Sequence, residues 1–89
     1  MTPFTKKVLR AVLKIPLGEV RTYKWVAKKA GKPKAVRAVG KILKNNPYPA
    51  VIPCHRVILS NGDLGGYIYG RDKKKALLDL EKKIRKDMV

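Results

Sequence analysis

Apolar residues recur at helical spacing through the first 44 positions of the chain, and the period then changes. Val8, Leu9, Val12 and Leu13 share one face of a first helix, with Thr5 placed to cap it and Pro16 and Gly18 to end it. Glu19-Val20-Arg21 reads as a short extended connector. Thr22 is the N-cap of a second helix through Ala30, in which Trp25 and Val26 supply bulk and Gly31 is the stop. A third helix is expected from Pro33, at its first turn, to about Lys44. Val36, Val39, Gly40 and Leu43 form its apolar side. Lys34, Arg37, Lys41 and Lys44, at i, i+3, i+7 and i+10, form a basic stripe on the other. Beyond Asn45-Asn46, Pro47-Tyr48-Pro49 forces an extended path and Ala50-Val51-Ile52 reads as buried. Val57-Ile58-Leu59 reads as a strand before an Asn61-Gly62 turn. A glycine-rich aromatic loop, Gly65 to Gly70, leads to a last helix capped by Asp72, with Leu77, Leu80 and Ile84 facing inward.

Two short helices joined by a Gly-containing turn, the second with a basic stripe, spell a helix-turn-helix. Ala35, Ala38 and Gly40 would leave room for close approach to a duplex. An ordinary amphipathic helix with a solvated basic face would show the same stripe. The element order predicts a mainly α, winged-helix-like helix-turn-helix DNA-binding domain, with a short β-like segment around Cys54.

Charge sharpens this picture. The 89 residues suffice for one domain, and 22 Lys+Arg against 6 Asp+Glu leave +16, which opposes compaction and calls for a polyanionic partner. Residues 1–62 hold 14 of those basic residues and one acid, Glu19, whereas residues 63–89 hold 8 and 5. Such asymmetry reads as a binding face followed by an ordinary solvated helix. Charge points to nucleic acid and leaves the chemistry open; a ribosomal or nucleoid protein would share it. No run of 18 apolar residues exists, so no transmembrane helix and no membrane partner are expected, and the N-terminus lacks a signal-peptide core. A single cysteine fits a reducing compartment, and one Cys with one His cannot build a four-ligand zinc site, so no metal is expected.

That cysteine and that histidine are adjacent, between Pro53 and Arg56. Neighbouring side chains on an extended chain diverge, so a bridging water would be needed to link them. Arg56 next door would favour the thiolate, the attacking form. The alternative is an inert buried cysteine beside a chance histidine.

The string NPYPAVIPCHRVI, followed by GDLGGYIYG and KKKALLDLE, resembles the O6-alkylguanine-DNA alkyltransferases, the suicidal methylated-DNA–protein-cysteine methyltransferases. IPLGEVRTY and KAVRAVGKILKNNP resemble earlier motifs of that family in the same order and spacing, so the resemblance runs from about Phe4 to Glu81. It implies a single catalytic, C-terminal-type domain over 1–89, without the separate N-terminal domain of many members. It implies that Cys54 accepts the alkyl group, that His55 acts through a water as general base, and that Glu81 orients the imidazole. Asn46 would brace the turn between the recognition helix and the active-site segment. Arg37 would enter the stack in place of a flipped guanine, with Lys34, Ala38, Gly40, Lys41 and Lys44 along the same DNA-facing surface. Tyr23 would press on the 3′ phosphate and Tyr67 would hydrogen-bond the extruded base. Val57 would give the base edge a main-chain contact.

Many members carry a small residue and a Gly-Gly pair after the loop tyrosine. Ile68-Tyr69-Gly70 stand here, so Ile68 and Tyr69 are expected to narrow the base pocket against large adducts. The implied partner is double-stranded DNA carrying O6-alkylguanine, bound by a monomer without cofactor, in the cytoplasm and associated with the nucleoid. Alkyltransferase-like proteins, which bind alkylated DNA without transfer, commonly replace the acceptor cysteine with Trp; Cys54 argues against that reading. A winged-helix regulator with an incidental Cys-His pair is the other rival.

Overall fold

The computed structural model describes residues 1–49 and 51–88. Four helices and a two-stranded parallel sheet follow in the order α1 (Pro3–Leu13), β1 (Arg21–Thr22), α2 (Tyr23–Lys29), α3 (Val36–Lys44), a 3₁₀ turn (Cys54–Arg56), β2 (Val57–Ile58) and α4 (Arg71–Met88). This is the mainly α, winged-helix-like arrangement expected from the pattern, with α2 and α3 as the helix-turn-helix. No helix among the described residues is long and apolar enough to cross a membrane.

The first three helices pack on one another around Val8, Val12, Val26, Ala27 and Val39, all fully buried. The N-cap of α1 is Thr2, not Thr5: its side chain accepts the Thr5 N–H at 3.1 Å, and Pro3 occupies the first helical position. Ala11, Val8, Val12 and Leu9 fill the buried arc of α1, which leaves Leu13 past its edge and half exposed. Thr22 caps α2 by accepting the Trp25 N–H at 3.0 Å. The end of α2 is a Schellman motif: Gly31 (φ +88°) and Lys32 donate to the carbonyls of Lys28 and Ala27. Pro33 then serves a tight turn, closed by the Ala35 N–H on the Lys32 carbonyl at 2.9 Å, so α3 begins at Val36 and Lys34 lies before it. Proline's fixed φ suits a turn corner as well as a first helical turn, and the turn wins here.

Register in the sheet pairs Arg21 with Val57 and Thr22 with Ile58. The strand thus ends at Ile58, and Leu59 instead closes the Asn61-Gly62 turn with Asp63. Ile52 is buried and Val51 exposed; Ala50 lies outside the described residues. On α4 the expected inner face is wrong for two of its three residues, since only Leu77 is half-buried. Leu80 and Ile84 are exposed, and Lys74, Leu78 and Glu81 are buried at i, i+4, i+7. Two polar side chains with specific partners outbid the leucines for the inner face. Asp72 sits within the first turn of α4, where a carboxylate suits the helix dipole, and does not precede it as a cap. Arg85 reaches back to Glu19 at 2.9 Å across Gly18, whose φ of +82° and absent Cβ admit the arginine stem.

Candidate active site

Pro53 decides how Cys54 is shown. Its φ of −78° and ψ of 65°, with the Cys54 N–H donating to the Ile52 carbonyl at 2.7 Å, form an inverse γ-turn. The chain then winds one 3₁₀ turn through Cys54, His55 and Arg56, so these three side chains fan out in different directions instead of alternating as on a strand. Asn46 holds the approach from α3. Its side-chain amide donates to the Ile52 carbonyl at 3.0 Å and its oxygen accepts the Tyr48 N–H at 2.9 Å, with the residue almost wholly buried.

Cys54 is buried beside a cleft of about 480 Å³. Tyr23 comes from α2, Gly40, Leu43 and Lys44 from α3, and Tyr67 and Ile68 from the glycine-rich loop. The parallel β1–β2 pair is what carries Tyr23 next to the Cys54 segment. Tyr23 in turn packs on Gly65, where a Cβ would lie 3.2 Å from its ring and hydroxyl and where φ is +74°. Burial, and then the charge of a Cys54 thiolate, push both the Tyr23 and the Tyr67 hydroxyls above the ordinary tyrosine value, which keeps them as proton donors.

Behind the cysteine lies a buried relay. His55 Nε2 is 2.9 Å from Glu81 Oε2, and its ring meets Tyr67 edge-on at 6.2 Å. Both ring nitrogens of His55 are buried without a well-aligned hydrogen bond among the described residues, and it is Nε2 that has the Glu81 carboxylate within reach. Arg56 grips Glu81 at two points, Nε to Oε1 at 2.9 Å and Nη2 to Oε2 at 2.7 Å, and donates a third bond from Nη1 to the Ile15 carbonyl at 2.9 Å. Burial raises the Glu81 carboxyl, but the Arg56 and His55 bonds outweigh it and hold the group below its ordinary value. The expectation that Arg56 serves the cysteine is therefore corrected. Its guanidinium is committed to Glu81 and to the end of the α1 segment.

Lys74 is a member of this site that sequence reasoning missed. Its Nζ, fully buried, donates to the Val57 carbonyl at 2.6 Å and the Gly66 carbonyl at 3.2 Å, and lies 5.8 Å from the centre of the Tyr23 ring. Burial pushes its ammonium down to about 8, against the upward pull of a Cys54 thiolate. The signal was present in the sequence: of three successive lysines, Lys73 to Lys75, only Lys74 stands in helical register with Leu78 and Glu81. The Val57 carbonyl, expected to contact the base edge, accepts this Lys74 bond with one of its two lone pairs, and the Val57 side chain is fully buried. Tyr69 is a second correction. It is exposed, packs edge-on against Tyr67 at 5.6 Å and does not line the cleft, whereas Ile68 does.

Arg37, Lys41 and Lys44 project from α3 on the side opposite buried Val39 and Leu43, with Ala38 exposed beside them and Lys34 exposed on the preceding turn. Gly40 and Lys44 belong both to this surface and to the wall of the cleft, so the basic stripe runs along the cleft mouth. A Cβ at Gly40 would meet nothing within 4 Å, so the glycine leaves open space at the mouth. Among the described residues no three His, Cys, Asp or Glu side chains gather as a metal site.

Residues 3–83 match the family model for the DNA binding domain of 6-O-methylguanine DNA methyltransferase. The chain is 54% identical over 82 residues to a probable methylated-DNA–protein-cysteine methyltransferase of Acanthamoeba polyphaga mimivirus, covering 92% of this chain and 54% of that protein. Its fold superposes with a TM-score of 0.90, at 47% identity, on the Mycobacterium tuberculosis OGT crystallised with DNA, over 93% of this chain and 52% of the other. Against S. pombe Atl1, crystallised with damaged DNA containing O6-carboxymethylguanine, the TM-score is 0.79 at 36% identity, over 91% of this chain and 77% of the other. The chain spans about half the length of the curated relatives it matches.

Proposed function

The chain belongs to the 6-O-methylguanine DNA methyltransferase family, and from that premise we propose that it repairs duplex DNA by moving the alkyl group of O6-alkylguanine onto Cys54, once per molecule. In this reading it is the catalytic, C-terminal-type domain, it works as a monomer on DNA in the cytoplasm or nucleoid, and it needs no cofactor. The observation that carries the reading is the position of Cys54. It lies beside an aromatic cleft that opens along a basic recognition helix, with His55, Glu81 and Arg56 stacked behind it.

The chemistry follows from those parts. An O6-alkyl carbon lies within the base stack, so the nucleotide must be turned out before sulfur can reach it. Arg37 is the long exposed cation of the α3 stripe able to fill the space it leaves. The Cys54 proton passes through a water to His55 Nδ1, the imidazole nitrogen not facing Glu81, while Glu81 steadies the resulting imidazolium at Nε2. Arg56 keeps Glu81 ionised for that task. The thiolate attacks the alkyl carbon, a C–S bond forms, the C–O bond breaks, and the electron pair leaves on guanine O6. Tyr67 or Tyr23, both held as neutral hydroxyls, donates toward the departing base. A thioether is not reopened by water, which makes the transfer stoichiometric. Lys74, by tying the Val57 and Gly66 carbonyls, holds the cleft's strand and loop together.

The test is a count. Duplex carrying O6-methylguanine, in excess over protein, should lose one methyl group per protein molecule and no more. Continued demethylation at a fixed protein concentration would contradict the single-use mechanism, and no loss would contradict transfer.

A further inference from the structure

A second basic cleft lies on the far side of α2 from Cys54. Tyr23 and Trp25 are two residues apart, hence roughly 200° around the helix, and they enter different clefts. The cleft holding Trp25 has a volume of about 450 Å³ and is walled by Lys7 and Arg10 of α1, by Lys14 at its C-cap, and by Arg21 and Lys29. Arg21 and Lys29 stand 5.5 and 5.7 Å from the centre of the indole ring. These α1 residues lie on the flank of the helix opposite Thr5 and Leu9, which face α3, so the cleft is turned away from the recognition stripe.

Nothing in the mechanism above uses this cleft, yet it is not ordinary surface. Solvated lysines diverge into water, whereas here five cations ring one concavity with an aromatic wall. Glu19, the sole acid in residues 1–62, is bonded to Arg21 and Arg85. Lys7, Arg10, Lys14 and Lys29 have no acidic partner among the described residues. From Lys7 to Lys14 the helix rises roughly 10 Å, a span that reaches more than one phosphate of a strand.

We propose that this cleft seats the phosphate backbone of a second DNA segment, so that one molecule bridges two duplexes or two stretches of one. The inference rests on the DNA reading above, since the first segment occupies the α3 face. An evenly spaced row of cations along a straight helix suits a regular phosphate backbone better than the irregular carboxylates of an acidic peptide.

The experiment immobilises an unmodified duplex in excess over protein, washes, and measures capture of a second, fluorescent duplex. Wild-type protein should capture it, with one protein molecule per pair of duplexes by mass photometry. Lys7→Ala/Arg10→Ala/Lys14→Ala should lower capture roughly tenfold or more while holding the first duplex within about threefold. Lys29→Ala, on the other wall, should lower it in the same direction. Lys82→Ala/Lys83→Ala/Lys86→Ala, which removes equal charge elsewhere, should capture like wild type. Retention of the first duplex without capture of a second would overturn the proposal. Equal losses in the two triple variants, two protein molecules per bridge, or preferential capture of polyglutamate or RNA would also do so. Failure to hold even the first duplex would instead strike at the proposed function, which this assay reads separately.

Discussion

Arg56 and Glu81, 25 positions apart in the chain, meet in a two-point ion pair of 2.9 and 2.7 Å beneath the His55 ring. That pair joins the 3₁₀ turn to α4 and, through the Ile15 carbonyl, to the end of α1. One side chain thus links fold stability to the orientation of the candidate base.

The first prediction concerns acid. Glu81 titrates below its ordinary value of 4.5 in the folded state, so its contribution is complete above that value and is lost as pH falls through the lower, folded one. Thermal unfolding followed from neutral pH to about pH 3 should show a steeper loss for wild type than for Glu81→Gln. Parallel curves would contradict the assignment. Arg56→Ala, which leaves the carboxylate buried with less than half its donors, should cost about 2–4 kcal/mol in urea unfolding.

Lys74 gives the opposite sign. Its folded value of about 8 lies below the ordinary 10.5, so between those values the unfolded chain binds more protons and stability from this group rises with pH. The stability of wild type relative to Lys74→Met should therefore increase across that window. A constant difference would mean that the ammonium is not strained by burial.

How much of this was legible in the sequence follows a physical line. The first three helices were readable because Val8, Val12, Val26, Val39 and Leu43 follow an apolar period that packing alone explains. The inner face of α4 was not, because Lys74 and Glu81 are buried through bonds to partners distant in sequence, and hydrophobicity gives them no weight. Cys54, His55 and Asn46 could be picked out by residue type and motif. Arg56 was picked out with the wrong partner, since adjacency to Cys54 says nothing about the direction a 3₁₀ turn imposes. Tyr69 was expected in the cleft because it places bulk where many related proteins carry small residues, but it is exposed and packs on Tyr67.

That correction sets the third prediction. Ile68 lines the cleft and Tyr69 does not, so Ile68→Ala should raise the rate on O6-benzylguanine relative to O6-methylguanine by roughly tenfold or more. Tyr69→Ala should leave the ratio within about threefold of wild type. The reverse pattern would restore Tyr69 as the steric gate.

Arg37 is exposed on the α3 stripe and makes no contact that the fold needs. Arg37→Ala should slow repair of duplex by more than it slows reaction with free modified base, because it removes stack filling and leaves the cleft intact. Equal losses on the two substrates would assign it to the pocket. Duplex affinity should fall with salt at a log–log slope of about −4, from four to five phosphate contacts, and the slope should change little in the variant, whose lost side chain enters the stack and not the backbone.

The central claim is that Cys54 sulfur is the acceptor and His55 its base, and peptide-mapped mass spectrometry after reaction with O6-methylguanine duplex tests it most directly. The account predicts one methyl group, on Cys54 alone. Transfer should be absent in Cys54→Ser, although that variant still binds duplex, and roughly 10²–10⁴-fold slower in His55→Ala. Methyl on any other residue, or transfer by Cys54→Ser, would contradict it.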